Sequence, residues 1–353
     1  MSGEIWVEVI DSALASSLWR RARMSHASTN PEALSVLGVP TFYCAYKGDS
    51  PLALWPLLRN EQGAVIAPEH LYYFGPFWIE EPGGESATSK LRRLTDVVDA
   101  LLAALPKDIQ NTSFSLGPEW NDIRPFDWFR WGSDDVERFS ISARYSAQLN
   151  LEGATVNDLA LKFRELRRRE LRRFDSGQVV IKRGLSAETL ESLYVETLMR
   201  SDEKPSTNSL SELAKICRLQ DAGLSVGFTA LAESGEPVGC SLLLLGDGNI
   251  NLVAQAVSTT SRQIGAAAAL IRAGLHYGIE NQFKISHELY KGYKDKDDFI
   301  SSYPFVPYQF KLIANVFEAF QQLEYVIKEV KDNERSVLGI THFTTKRHAD
   351  EDV

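Results

Sequence analysis

Apolar segments separated by Gly/Pro turns recur along this chain and alternate with longer stretches of helical period. Residues 42–58 read as an apolar strand, a turn at 47–51 and a second apolar strand. Residues 228–245 repeat that pattern around a turn at 233–237, so each segment predicts a β-hairpin. A third strand is predicted in each half, at 64–78 and at 249–257, the latter introduced by the turn Gly246-Asp247-Gly248-Asn249. Helices follow at 86–105 and 262–281. Leu91, Leu94, Val97, Val98, Leu101 and Leu102 mark the first stripe, and Leu270, Ile271, Gly274, Leu275 and Ile279 the second. A closing strand is expected at 112–116 and at 284–289. The order β-β-β-α-β thus occurs twice, which predicts a duplicated unit.

Between the two copies, residues 141–151 alternate like a half-exposed strand. A helix is expected from near Thr155, capped by Asn157 and Asp158, running through 161–174 and ending at Gly177. Phe163, Leu166, Leu171 and Phe174 supply its buried stripe. Lys162, Arg164, Arg167, Arg168, Arg169, Arg172 and Arg173 cover most of the rest. Two readings of this basic helix stay open. Glu165 and Glu170 neutralise a solvated face, or the arginine forks grip an anionic partner. The expected division is an N-terminal unit over 1–150, a C-terminal unit over 151–334 and a polar tail over 335–353.

Composition narrows the class. A 353-residue chain that is 44% hydrophobic and 24% charged has the make-up of a globular protein with two ordinary domains. The net charge of −9 argues against general nucleic-acid binding. No apolar run approaches the roughly 20 residues of a membrane span, and the N-terminus predicts no signal peptide. Cys44, Cys217 and Cys240 are too scattered for a disulfide framework or metal spacing, so buried thiols, no metal and a cytoplasmic setting are expected. HExxH, CxxC, GxSxG and P-loop motifs are absent from the sequence.

The most informative segment is 260–270, which opens the second helix. Arg262, Gln263, Ile264, Gly265, Ala266 and Ala267 form an Arg-x-x-Gly-x-Ala loop whose backbone N–H groups would close around a pyrophosphate, with the helix N-terminus completing the cradle. The plain alternative is an alanine-rich helix packed closely on a sheet. The equivalent segment of the first half, Pro82-Gly83-Gly84-Glu85-Ser86, lacks the arginine, so no nucleotide is expected there.

This order of elements, with its Arg-x-x-Gly-x-Ala loop, resembles the GNAT acyltransferase unit. Two units joined through the Arg-rich helix at 167–173 resemble the Fem-like branch, and in particular bacterial acetyltransferases of the BioF2-like, cellulose-biosynthesis type. Tyr72-Tyr73-Phe74-Gly75-Pro76 and Tyr303-Pro304-Phe305-Val306-Pro307-Tyr308 carry the remaining likeness. The resemblance implies an α/β fold (α+β mixed sheets) with two GNAT-like units in tandem and an interdomain cleft. It implies acyl-CoA as co-substrate on the 262–267 loop. The acceptor would be the amine or hydroxyl of a small molecule or of a lipid-linked or polymer precursor. In Fem enzymes proper the donor is aminoacyl-tRNA and this loop is usually degraded, so tRNA on helix 162–173 is the alternative partner. A non-catalytic role in envelope-polymer assembly is a further option.

The same resemblance places the chemistry. The strand before the loop, residues 252–255, would supply backbone groups to the donor. His287 and Glu288 would serve as acid/base, and Tyr303 would protonate the leaving thiolate. Tyr73, Trp120, Asp122, Arg168 and Arg172 are candidate acceptor contacts: aromatics interleaved with carboxylates suit sugar-like or amino-bearing groups, though Trp-rich loops also form satellite cores.

Overall fold

The computed structural model describes residues 4–22, 25–80, 86–106, 113–120, 122–130, 138–143, 146–177, 179–259, 264–281 and 283. All of them belong to one compact unit, Met1–His287. The fold is α/β, and every pairing among the described strands is antiparallel.

The first half starts with β1 (Ile5–Ile10), then α1 (Ser12–Arg21) and α2 (Pro31–Leu37). The expected hairpin follows as β2 (Val39–Lys47) and β3 (Ser50–Arg59). The predicted third strand splits into two short pieces, β4 (Val65–Ile66) and β5 (Phe77–Trp78), both paired with β3. The predicted helix is α3 (Ala87–Ala104), whose first turn is capped by the Ser86 hydroxyl. Residues 113–116 make no ladder; the Ser115 N–H donates a single bond to the Phe74 carbonyl. A short helix, α4 (Arg124–Asp127), follows.

The second half repeats the order. After α5 (Val156–Lys162) and α6 (Glu165–Asp175) come β6 (Val180–Arg183), α7 (Ala187–Met199) and α8 (Thr207–Arg218). Then β7 (Ser225–Leu231), β8 (Pro237–Leu245), β9 (Ile250–Val257) and α9 (Ala266–Glu280) complete it. Each half therefore runs strand, two helices, hairpin, third strand, helix. The strand expected at 141–151 is not formed among the described residues of that stretch.

The apolar strands are continuous because both of their faces are covered. Along β2 and β3, Phe42, Cys44, Leu54 and Leu58 point into one core, and Tyr43, Ala45, Trp55 and Leu57 into another beneath α3. Along β8, Cys240, Leu242 and Leu244 enter the first of these cores, while Val238, Leu243 and Leu245 pack with Leu270 of α9. The first core thus mixes both halves, with Leu34 and Leu37 of α2 beside Leu213 and Ile216 of α8. Asn249 ties the halves a second time: its side chain accepts the Ala27 N–H at 3.0 Å and donates to the Ser25 carbonyl at 2.7 Å.

All three cysteines are buried free thiols, as the composition suggested. Burial pushes Cys44 up to about 11 and Cys240 up to about 12, so both stay protonated and unreactive at neutral pH. Among the described residues no helix is long and apolar enough to cross a membrane.

Candidate functional site

The strongest local signal lies where β9 leads into α9. Leu242 pairs with Ala254 and Leu243 with Leu252, so Val253 is an extra residue and β9 carries a β-bulge there. A bulge takes backbone groups out of the ladder, and β9 ends its sheet among the described strands. The Val253 carbonyl accepts the Tyr72 hydroxyl at 3.4 Å. Two residues on, Gln255 Nε2 donates to the Ala267 carbonyl at 2.7 Å and locks the strand to the first turn of the helix.

Gly265 is the N-cap of α9. Its φ of 78° is left-handed, which favours glycine, and among the described residues no side chain caps the helix. The space a side chain would need is already taken. A Cβ on Gly265 would lie 2.0 Å from the Glu170 carbonyl oxygen and 2.7 Å from its carbon. The sequence assigned that space to an approaching anion; the structure gives it to the backbone of α6. Gly265 and Ala266 are buried, and Ala268 and Ala269 pack on Leu171 and Phe174 of α6. Ile264 and Ala267 are half-buried in the same turn. Arg262 and Gln263 lie outside the described residues.

The basic helix departs from expectation in three ways. It breaks at Phe163 and Arg164 into α5 and α6. Its cap is Thr155 rather than Asn157. The Thr155 hydroxyl accepts the Asp158 N–H, and Asp158 Oδ2 accepts the Thr155 N–H, a reciprocal box that leaves Asp158 at the third helical position. Leu166, placed in the buried stripe, is 62% exposed, because the break rotates the stripe onto Leu171 and Phe174.

Glu165 and Glu170 of α6 serve as internal partners. Arg168, Arg169 and Arg172 converge on Glu165 at 2.9, 3.2 and 3.0 Å, and Arg167 meets Glu170 at 2.6 Å. Hydrogen bonds from Arg172, then Arg169, hold the Glu165 carboxyl below its usual range. Arg168 Nε is buried without a partner among the described residues. Arg272 of α9 grips Asp175 through both guanidinium nitrogens, at 2.6 and 3.0 Å, and fastens the end of α6 to α9.

Two of the acceptor contacts foreseen in the N-terminal half are already occupied. Trp120 is a core residue: it is buried against Trp78 and Phe126, and its indole N–H goes to the Pro76 carbonyl at 2.9 Å. Asp122 forms a bidentate pair with Arg124. Burial raises its carboxyl, but the Arg124 hydrogen bonds outweigh that and leave it below the ordinary value. Tyr73 alone stays half-buried, with a left-handed φ of 64° and its ring 4.7 Å from that of His26. His287, Glu288 and Tyr303 lie outside the described residues.

A second buried polar cluster was not visible in the sequence. His70 Nε2 lies 2.7 Å from the Ser209 hydroxyl, and Glu212 accepts the N–H groups of Glu69 and His70. Burial lowers the pKa of His70 and raises that of Glu212. These contacts clamp the segment between β4 and β5 onto α8, which is a structural task.

No protein-family model matches the chain, and no curated protein does. Solved structures share its overall course at low identity. FemX aligns over 82% of this chain and 90% of its own, at a TM-score of 0.49 and 10% identity. L-PGS from Bacillus licheniformis aligns over 80% and 78%, at 0.42 and 16%. A tandem GNAT protein from the clavulanic acid biosynthesis pathway aligns over 79% and 87%, at 0.39 and 11%.

Proposed function

We propose that this chain is a tandem GNAT-like acyltransferase whose C-terminal half takes the acyl donor, and that the repeated element order reflects duplication. The observation that carries the reading is the Val253 bulge within β9, followed twelve residues on by the left-handed Gly265, which opens α9 with no side-chain cap among the described residues. Backbone groups freed at a bulge suit a donor carbonyl, and an uncapped helix start suits phosphates. The equivalent place in the N-terminal half has only the two-residue strands β4 and β5, and α3 is capped by its own serine. The donor in this reading is acyl-CoA, held by residues 262–267. The acceptor is an amine or hydroxyl of a small molecule or of a cell-envelope precursor.

One observation favours an aminoacyl-tRNA donor instead. The backbone of the arginine helix α6 packs against Gly265, in the space where the phosphates of a CoA would approach. Calorimetric titration separates the two. Acetyl-CoA gives saturable heat that Arg262→Glu abolishes if the first reading holds. Absence of heat with acetyl-CoA and longer acyl-CoAs at millimolar concentration removes it.

A further inference from the structure

One buried polar pair plays no part in the reading above. His26 Nε2 lies 2.9 Å from Glu119 Oε2, and the two side chains are only 10% and 6% exposed. The other carboxylate oxygen, Glu119 Oε1, is buried with no hydrogen-bond partner among the described residues. An unsatisfied buried acceptor costs about 1–3 kcal/mol, so a fold that retains one carries a constraint from elsewhere. The surroundings are built to keep the pair in place. Gly117 leaves it room, since a Cβ there would stand 2.1 Å from Glu119 Oε2 and 2.4 Å from His26 Nε2. Asn249 of the C-terminal half holds the backbone on either side of His26 through Ser25 and Ala27.

The pair is linked to the β9 bulge through two consecutive tyrosines. Tyr73 lies against the His26 ring, and its neighbour Tyr72 reaches the carbonyl of the bulged Val253. Two consecutive tyrosines therefore bridge the histidine of one half to the strand edge of the other. Tyr73 holds its φ of 64° to do so, a strained position for a residue with a side chain.

The chemistry follows from the carboxylate. An ionised Glu119 on Nε2 requires the imidazole proton there, which leaves Nδ1 with its lone pair. Among the described residues nothing bonds to Nδ1, Glu119 is the charged group against the ring, and Tyr73 is the titratable group beside it. Resting on the acyltransferase reading, we infer that His26 is the general base for the acceptor, with Glu119 as its positioning residue. Nδ1 removes the proton from the acceptor's O–H or N–H as that atom bonds to the donor carbonyl carbon. The C–S bond of the thioester breaks with its electron pair on sulfur. The proton returns from Nδ1 to the thiolate, so the products are the acylated acceptor and free CoA.

The test uses the full chain, acetyl-CoA, and water as the acceptor, with release of the CoA thiol followed against pH and acetyl-CoA binding measured beside it. His26→Gln is expected to lower release about 100-fold, the scale of general base catalysis, with binding unchanged and the ascending limb of the pH–rate profile gone. Glu119→Gln keeps the shape of the pair. It should lower release about tenfold with acetyl-CoA binding unchanged, because the imidazolium formed in the step loses its carboxylate partner. Unaltered release in His26→Gln overturns the assignment, and so does a wild-type protein that binds acetyl-CoA yet releases no CoA. If acetyl-CoA does not bind at all, the acyl-CoA reading itself fails, and the base assigned to it fails with it.

Discussion

Gly265→Ala is expected to destabilise the protein by about 3 kcal/mol or more, from two penalties that act together. The first is conformational. At φ 78° an L side chain crowds its own backbone, at a cost of about 1–2 kcal/mol. The second is steric. The new methyl group would meet the Glu170 carbonyl at 2.0 Å, and a backbone atom in the middle of a helix cannot swing aside as a side chain can. Helix α6 must separate from α9, which opens the cluster of Leu171, Phe174, Ala268 and Ala269 and strains the Asp175–Arg272 pair. Gly153→Ala supplies the control. Its φ is 67°, but open space surrounds it, so it carries the conformational penalty alone, about 1 kcal/mol. Urea unfolding of both variants measures the difference. Equal losses would mean that α6 does not rest on Gly265.

Gly117→Ala is the second large effect, and its cause is steric only, because the φ of Gly117 is ordinary. The added methyl group collides with Glu119 and with His26, both buried and neither free to rotate into solvent. Overpacking of this kind costs about 1–3 kcal/mol, and breaking the His26–Glu119 contact adds to it. In a unit of this size each kcal/mol lowers the melting temperature by about 2–4 °C. A double-mutant cycle isolates the cause. On a Glu119→Ala background the same glycine change should cost less, since the clash with the carboxylate is gone and only that with His26 remains. Additive losses would place the collision elsewhere.

Much of the scaffold was legible in the chain, for reasons that particular residues make plain. The hairpins at 42–58 and 228–245 declare themselves because both faces of those strands are buried, so nearly every position is apolar. Helices α3 and α9 show a clear stripe. The strand and helix pair that begin each half went unseen. β1 is half-exposed at a sheet edge, and α1 holds only Ala15, Leu18 and Trp19 inward. The third strand of the first half read as continuous, since residues 71–78 are aromatic and apolar. Residues 71–76 form a loop instead, with Leu71 and Phe74 buried, Tyr73 at positive φ and Gly75 tight against Ser115, where a Cβ would lie 2.7 Å from its carbonyl oxygen.

The site was legible only where it is local. The segment 262–267 stands out as a motif, but the helix that packs on Gly265 lies about ninety residues earlier and leaves no mark in the loop itself. The pair of His26 and Glu119 joins residues 93 apart through a short turn and an irregular segment, with no periodicity to announce either. Trp120, open in the sequence to both an acceptor contact and a satellite core, is core. An aromatic between polar neighbours looks like a ligand platform, yet its indole N–H found a partner in the buried Pro76 carbonyl.

The central claim is that the C-terminal half holds the donor, and hydrogen exchange under saturating acetyl-CoA tests it most directly. The account predicts slowed exchange over β9, around the Val253 bulge, and over the first turns of α9, with β2, β3 and α3 unchanged. Protection confined to the N-terminal half, or none anywhere at saturation, would contradict it.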